Sequence, residues 1–437
     1  MIRTAAGVIR HGVAACVWWG ICSSGALAET TAKIDAPLHL SLEEALRRGE
    51  HYVPALVRAQ NEAIQTDSKR VGAALLLPQN PYASFLGGYR QEFTSSPTAT
   101  GFQYQFHLEQ QVEIAGQRST RIRSVEAQRA VASANTAYAR SLMRALLQVA
   151  FIQGVLAEQR VTVERNREEI GKQLLESAKI RFSLGAAGDI EVNLAQIEGG
   201  RVAAERAQAE VAREERLAEL RILCGLPALQ PLRLLSTSIE PPRLRTEHQA
   251  VESLGVLAEQ QRTDLLALMR QREVLRSERV RLVREAVPSP IISVDLQRDL
   301  PGQEFYGGTL GLPLPVWNRN QGPLAQVTAG EVAQKNEERL LRVRIRNEVA
   351  LAHRKLMLLR NQEEAFVQTV LPLAERNLDL LRRGWQAGKF DLFRVITASR
   401  ELAETRLRHL DLLDDLWKAS IELERAVGVP IFSQRVP

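Results

Sequence analysis

A shift of 203 positions lays the second half of this 437-residue chain on the first around two landmarks, without a gap. Gly185 falls on Gly388, Val192 on Val395, Ala195 on Ala398, Glu198 on Glu401 and Leu220 on Leu423. The same shift ends by placing Gly225 on Gly428 and Pro227 on Pro430. A match that keeps both an interior break and a terminator in step describes a duplicated supersecondary unit, so the fold must contain the same assembly twice.

Each unit has the same order of parts. In the first, Ser41 followed by Glu44 reads as a capping box that opens a helix. The helical pattern runs to about Leu77 and is stopped by Pro78 and Pro81. Two strand-like runs follow, about 82–93 and 102–114. Phe102, Tyr104, Phe106 and Leu108 share one parity, and Gln103, Gln105, His107 and Glu109 share the other. From Gly116 to Arg181 there is no proline, and Leu142, Leu146, Val149 and Leu156 mark one face of a long helix. A tip at about 183–191 (SLGAAG, then Asp189) turns it back into a helix that ends at Gly225-Leu226-Pro227. The second unit repeats this: a helix to Val287, strands at about 291–299 and 305–316, a helix from about Gly322 with Pro372 near its end, a tip at about 386–394, and a last helix to Gly428. The expected domains are therefore a leader at 1–28, a first repeat at 29–225, a connector at 226–246 and a second repeat at 247–437. A helix of ~60 residues is ~90 Å long, a length suited to a coiled coil or to a wall across a wide space rather than to a globular core.

Composition agrees with helices of that kind, being rich in Ala, Leu, Arg, Glu and Gln with only 5% aromatic residues. The leader has Arg3 and Arg10, an apolar run from Val13 to Ile21, and Ala26-Leu27-Ala28 at the cleavage positions, which is the pattern of an export signal. A lipidation reading at Cys16 also exists, on Val13-Ala14-Ala15-Cys16, with little apolar sequence before it. Removing the leader takes Cys16 and Cys22 away, so the mature chain keeps only Cys224 and forms no internal disulfide. It also takes the formal charge from +6 to +4, an excess spread along helices that does not form a nucleic-acid-binding patch.

Beyond the leader no run of ~18 uncharged apolar residues is present, so a membrane span would have to be made of strands. Four strands with one apolar face cannot close a barrel alone, and open strand edges are not tolerated in lipid. Two copies would give eight strands and three would give twelve, so the strands call for a symmetric oligomer. The competing reading is a soluble α+β domain whose four-stranded sheet packs its aromatic face on helices.

Several segments resemble the TolC-like outer membrane efflux factors, and the resemblance covers essentially the whole mature chain. The opening SLEEALRRGEHYVPALVRAQ, with Pro54, is similar to that family's first helix. Ile180–Val192 and Trp385–Ala398 resemble its two periplasmic tips, and Gly311–Gly322 (GLPLPVWNRNQG) resembles the strand-to-helix segment of the branch serving heavy-metal efflux. The resemblance implies a mainly α fold with a transmembrane β-barrel part: a homotrimer with a twelve-stranded outer-membrane barrel on a twelve-helix periplasmic tunnel. It implies a passive exit duct working with a periplasmic adaptor and an inner-membrane pump of the resistance-nodulation-division type, with metal cations first among possible cargoes and small organic toxicants second. The alternative within reach of the sequence is a periplasmic coiled-coil adaptor or scaffold, although the β-rich sequence that usually flanks an adaptor hairpin is absent.

Relatives carry acidic residues near the second tip that constrict the pore. Here that region holds Gly388, Asp391, Arg394 and Thr397, and the first tip holds Gly185, Asp189 and Glu191. Glu191 and Arg394 are equivalent under the repeat and opposite in charge, so they are expected to pair between neighbouring hairpins and hold the gate shut. No catalytic constellation is evident: the seven histidines are scattered without metal-ligand spacing, and no cofactor motif occurs.

Overall fold

The computed structural model describes residues 37–92, 99–236, 239–244, 250–299 and 303–432. The expected leader, with Cys16 and Cys22, lies outside these residues. Strand β1 (Leu38–Leu40) is followed by helices α1 (Leu42–Tyr52) and α2 (Pro54–Ala73), strands β2 (Tyr82–Glu92) and β3 (Ala99–Gln111), and helices α3 (Gln117–Ser183) and α4 (Asp189–Leu223). Strand β4 (Leu232–Leu234) leads into α5 (Val251–Gln261), α6 (Thr263–Glu285), β5 (Ile291–Asp299), β6 (Gln303–Gly311) and α7 (Gln321–Ala365). A π-helical turn (Phe366–Val370) joins α7 to α8 (Leu371–Gln386), and α9 (Leu392–Val427) closes the chain.

Backbone geometry carries the duplication. Among the described residues six have a left-handed φ: Gly116, Gly185, Gly225, Asn320, Gly388 and Gly428. They form three pairs, one at the start of each long helix (Gly116, Asn320), one at each tip (Gly185, Gly388) and one at each terminator (Gly225, Gly428). Asparagine tolerates this conformation where most side chains do not, and Asn320 is further held by its Nδ2 donating to Leu282 O at 3.0 Å.

Each early helix is broken at the level of a terminator, by different means. Pro54 holds Val53 extended (ψ 115°), as a residue before proline prefers, and so separates α1 from α2. Arg262, also extended (ψ 121°), separates α5 from α6 without a proline. Its buried guanidinium is held by Asp264 at 2.6 Å and Glu348 at 2.5 Å. Gly225 faces Tyr52 at the first break so closely that a Cβ would overlap its ring, and Gly428 approaches Gln261 and Arg262 at the second. The sequence-based expectation of single early helices is corrected by these breaks.

Other boundaries shift for identifiable reasons. Ser41 Oγ accepts from Glu44 N at 3.2 Å, but the Glu44 carboxylate turns to Arg47 and Arg48, so only half of the expected capping box forms. β3 begins at Ala99 and ends at Gln111, earlier at both ends than the expected 102–114. β6 ends at Gly311 rather than 316, because Pro313 and Pro315 have no N–H to give a ladder and the alternating Leu310, Leu312 and Leu314 are all exposed. The short strands β1 and β4, which pair in parallel, were not anticipated.

At 67 residues α3 spans ~100 Å. Its first part lies along α2 and α6, and its later part along α4 and α9. By length and composition it is apolar enough to cross a membrane, but half of its most apolar window is buried. Leu147, Phe151, Ile152 and Val155 of α3 instead form a core with Leu40, Leu56, Leu220 and Trp417. A second core joins α5, α7 and α9, and a third fills the space between the tips around Trp385.

The π turn solves a register problem. Leu356, Glu363, Leu371, Leu378 and Trp385 face inward along α7–α8, at spacings of seven, eight, seven and seven. The spacing of eight straddles Phe366–Val370, where the wider π turn absorbs one extra residue and returns the helix to the same face. Pro372 follows at once, supplying no N–H to the ladder it would otherwise break.

Candidate channel wall, tips and brace

The strands form one antiparallel sheet in the order β2-β3-β5-β6, so the hairpins of the two repeats meet along β3 and β5. Register sorts the side chains by face. Phe85, Phe106, Leu296 and Tyr306 lie opposite one another in one row, and Ala83, Leu108 and Val294 lie in the next row of the same face. On the other face Ser84, His107 and Asp295 are aligned, as are Gln105 and Gln297. His107 Nδ1 lies 2.7 Å from Asp295 Oδ1 and Gln103 bonds to Asp299, which ties the two repeats together on the polar side. The reading in which helices cover the aromatic face does not hold: among the described residues no helix packs along the sheet, Phe85 is 66% exposed and Tyr306 71%. Among the described residues β2 and β6 each have a partner on one side only.

At the far end of the shaft, Gly185 (φ 74°) and Gly388 (φ 73°) make the two turns. Asp189 opens α4 and is exposed. Asp391 caps α9, accepting from Arg394 N at 2.9 Å, and Thr397 Oγ1 donates to Phe393 O. Within the chain Glu191 and Arg394 are not brought together. The Arg394 guanidinium lies over the Phe390 ring at 5.8 Å and 3.8 Å from Asp391, whereas one carboxylate oxygen of Glu191 is buried without a hydrogen-bond partner. What joins the tips is Arg181, which stacks on Trp385 at 5.4 Å and donates to Trp385 O at 3.0 Å and Ala186 O at 3.3 Å.

Higher in the shaft a buried ionic brace ties three helices together. Arg167 of α3 donates to Glu198 of α4 at 2.8 Å and bonds to Glu205, and Arg400 of α9 donates to Glu198 at 3.0 Å. Burial alone would raise the Glu198 carboxyl, but the hydrogen bonds from Arg167 and Arg400 hold it below the usual carboxylate range. Its repeat-equivalent, Glu401, is exposed, so the same position serves two ends in the two copies. Beside the brace a groove of about 530 Å³ is lined by Glu164, Arg160, Glu205, Glu404, Asp411 and Asp414, among others. Glu164 is buried 3.8 Å from Arg167, and burial pushes its carboxyl up. A raised acid favours the folded state below its unfolded pKa and loses that benefit as pH rises through the folded value. Glu164→Gln is therefore expected to raise Tm at pH 7 by about 2 °C and to leave it unchanged near pH 4, read by paired thermal melts.

Arg167, Arg181, Glu164 and Arg400 were not singled out from sequence. The chain offers one hint, the Glu198–Glu401 match, but charged residues line every helix face. Cys224, the free cysteine, is fully buried at the end of α4, and burial pushes its thiol up to about 11, which suits an inert packing group. Among the described residues no group of three or more His, Cys, Asp and Glu side chains is placed to hold a metal ion.

Residues 292–429 match the family described as outer membrane efflux protein. The chain is 26% identical over 324 residues to the cobalt-zinc-cadmium resistance protein CzcC of Cupriavidus metallidurans, covering 72% of this chain and 75% of that one. Its fold is that of the CusC crystal structure, with TM-score 0.70 at 15% identity, covering 89% of this chain and 92% of the other. It is also that of the Campylobacter jejuni CmeC outer membrane channel, with TM-score 0.68 at 14% identity and coverages of 89% and 85%. The duplicated shaft and the two-faced sheet thus go with a sequence similarity to outer membrane efflux proteins over residues 292–429 and with the fold of the CusC and CmeC structures.

Proposed function

We propose that this protein is the outer-membrane exit duct of a tripartite efflux system and conducts its cargo passively. The observation that carries this reading is the sheet: aromatic and aliphatic on one exposed face, polar on the other apart from Leu86, Ile291 and Phe305, unpaired at both edges among the described residues, and set on ~100 Å helical hairpins. A surface of that kind is unstable in water and incomplete in lipid until its edges are paired. Three copies would supply twelve strands, with the aromatic face toward lipid and the His107–Asp295 face toward the lumen. The helices would form a twelve-helix tunnel in the periplasm, meeting an adaptor and an inner-membrane pump at the tips. An export leader at 1–28 and repeats at 29–225 and 247–437, joined by a connector at 226–246, complete this organisation.

Outer-membrane fractionation tests it. A heat-modifiable, trimer-sized band is expected, and a soluble monomer in periplasmic extract would refute it and favour an adaptor or scaffold. The two faces can be separated by charge. Leu296→Arg, on the face read as lipid-facing, is expected to cost about 2–4 kcal/mol and deplete the membrane-inserted protein. The neighbouring Gln297→Arg, on the opposite face, should insert normally, as measured by inserted yield.

Similarity to a cobalt-zinc-cadmium resistance protein supports divalent metal cations as cargo. Loss of the gene should then raise sensitivity to such metals, and sensitivity to organic toxicants alone would redirect the assignment. At the tips we read Gly185, Asp189, Glu191, Gly388, Asp391, Arg394 and Thr397 as the gate region, with Glu191 meeting Arg394 across neighbouring hairpins of the assembled tunnel. Arg394→Glu should then increase single-channel conductance and antibiotic leakage. Unchanged values would leave Arg394 as a local companion of the Asp391 cap.

A further inference from the structure

The groove beside the brace carries more negative charge than its own pairing uses. Its lining holds six acidic residues against three arginines. Each arginine is already engaged: Arg160 by Asp411, Arg167 by Glu198 and Glu205, and Arg216 by Glu219. Two carboxylate oxygens of the lining are buried and accept no hydrogen bond, Glu164 Oε2 on α3 and Asp414 Oδ1 on α9. Glu164 is only 5% exposed. Arg167 Nη1 stands 3.8 Å from its Oε2 but gives its hydrogen bond to Glu205. Lys418 Nζ bonds to Asp414 at 2.8 Å through the other oxygen, Oδ2.

These two oxygens stand at one level of the shaft. Counting from the helix ends at 1.5 Å per residue, Glu164 lies ~29 Å above the tips and Asp414 ~33 Å. Buried carboxylate oxygens are ordinarily hydrogen-bonded, because desolvation without a partner is costly. The upward push that burial gives the Glu164 carboxyl has the same origin.

Three features say what fits. The unbonded oxygens call for N–H donors and positive charge. Between the helices the lining turns apolar, with Leu156 and Ala157 of α3, Ala209 and Ala212 of α4, and Leu407 of α9. The volume of about 530 Å³ is that of a small-molecule site. Among the described residues no three acidic, His or Cys side chains are placed to hold a metal ion, so the occupant must bring its own hydrogen-bond donors. We propose that this groove binds a small organic cation of the amidinium or guanidinium class, with its charged end on Glu164 and its apolar body on Leu156 and Leu407. The planar N–H fork of that class matches a carboxylate. A quaternary ammonium, having no N–H, would leave both oxygens unbonded. All the lining residues belong to one chain, so the site does not depend on the duct reading.

Isothermal titration of the detergent-extracted full chain with benzamidine, and with benzamide as its neutral isostere, tests the site. Benzamidine should bind saturably and benzamide should not. Glu164→Gln should weaken benzamidine binding by about tenfold or more, since a charge-assisted pair becomes a neutral one. The same substitution is expected to raise the Tm of the free protein at pH 7, so weaker binding cannot be laid to a damaged fold. Ala209→Trp, which fills the groove without touching a charge, should abolish binding, and Glu401→Gln, on an exposed face outside the groove, should leave it unchanged. No saturable binding of benzamidine to the parent, equal binding of benzamide, or full affinity in Glu164→Gln or Ala209→Trp overturns the site. None of these results bears on whether the protein is an exit duct.

Discussion

Replacing Arg167 with alanine should destabilise the helical shaft by about 3 kcal/mol, because it leaves the buried Glu164 without its counter-charge and removes the partner that Glu198 and Glu205 share. Arg167 is almost fully buried and is the group that Glu198, Glu205 and Glu164 share. Arg400 would remain on Glu198, but from the α9 side, so the α3–α4 joint loses its ionic tie. By contrast Arg394→Ala, at an exposed pair, should change stability by no more than ~1 kcal/mol. Thermal or denaturant melts of the purified protein measure both. The pH dependence has a definite sign. Glu198 is held below its usual value, so its contribution is present above the unfolded pKa of 4.5 and is lost as pH falls through the lower folded value. In Arg167→Ala that acid-side loss should shrink, since the paired state it reports is gone. A variant that melts like the parent would show that the brace is incidental to the shaft.

Deleting Thr369 from the π turn should be tolerated, whereas deleting Arg339 from the regular part of α7 should abolish the folded channel. The first deletion turns the spacing of eight into seven, so Leu371, Leu378 and Trp385 keep their places against α9 while the π turn closes into an ordinary helical one. The second rotates the stretch between the deletion and the π turn by about 100°. It carries Ile345, Val349, Ala352 and Leu356 off the core, where each large side chain is worth roughly 2–5 kcal/mol. Inserted yield and the migration of the unheated particle, compared side by side for the two variants, are the readout. Equal loss in both would mean that the turn is required for something other than register.

These two features show where the sequence was readable and where it was not. The duplication could be read from Gly185, Gly388, Gly225 and Gly428, because each sits where the backbone must turn left-handed and few other residues serve. The faces of β3 were readable because Phe102, Tyr104, Phe106 and Leu108 alternate with polar residues and both faces meet an open environment. β6 was over-extended because Leu312 and Leu314 continue the alternation past the strand, while Pro313 and Pro315 end the ladder. The π turn left no local mark: Pro372 reads as a stop or kink, and only the jump from seven to eight, seen against the packed core, shows that the helix runs through. The brace was hidden because Arg and Glu populate solvent-facing and buried positions alike in this chain, and which ones are buried depends on three helices brought together over long separations. At the tips the repeat correctly paired positions, but Arg394 answers first to its own cap residue, Asp391, an i,i+3 neighbour favoured by proximity.

The central claim is that one chain supplies an incomplete sheet and an incomplete helical wall that copies of itself complete. The direct test is the mass of the particle extracted from outer membranes in mild detergent, with the detergent contribution removed. Three chains per particle, converting to one on heating, is the predicted result; a particle of one chain, with its four strands unpaired at both edges, would contradict it.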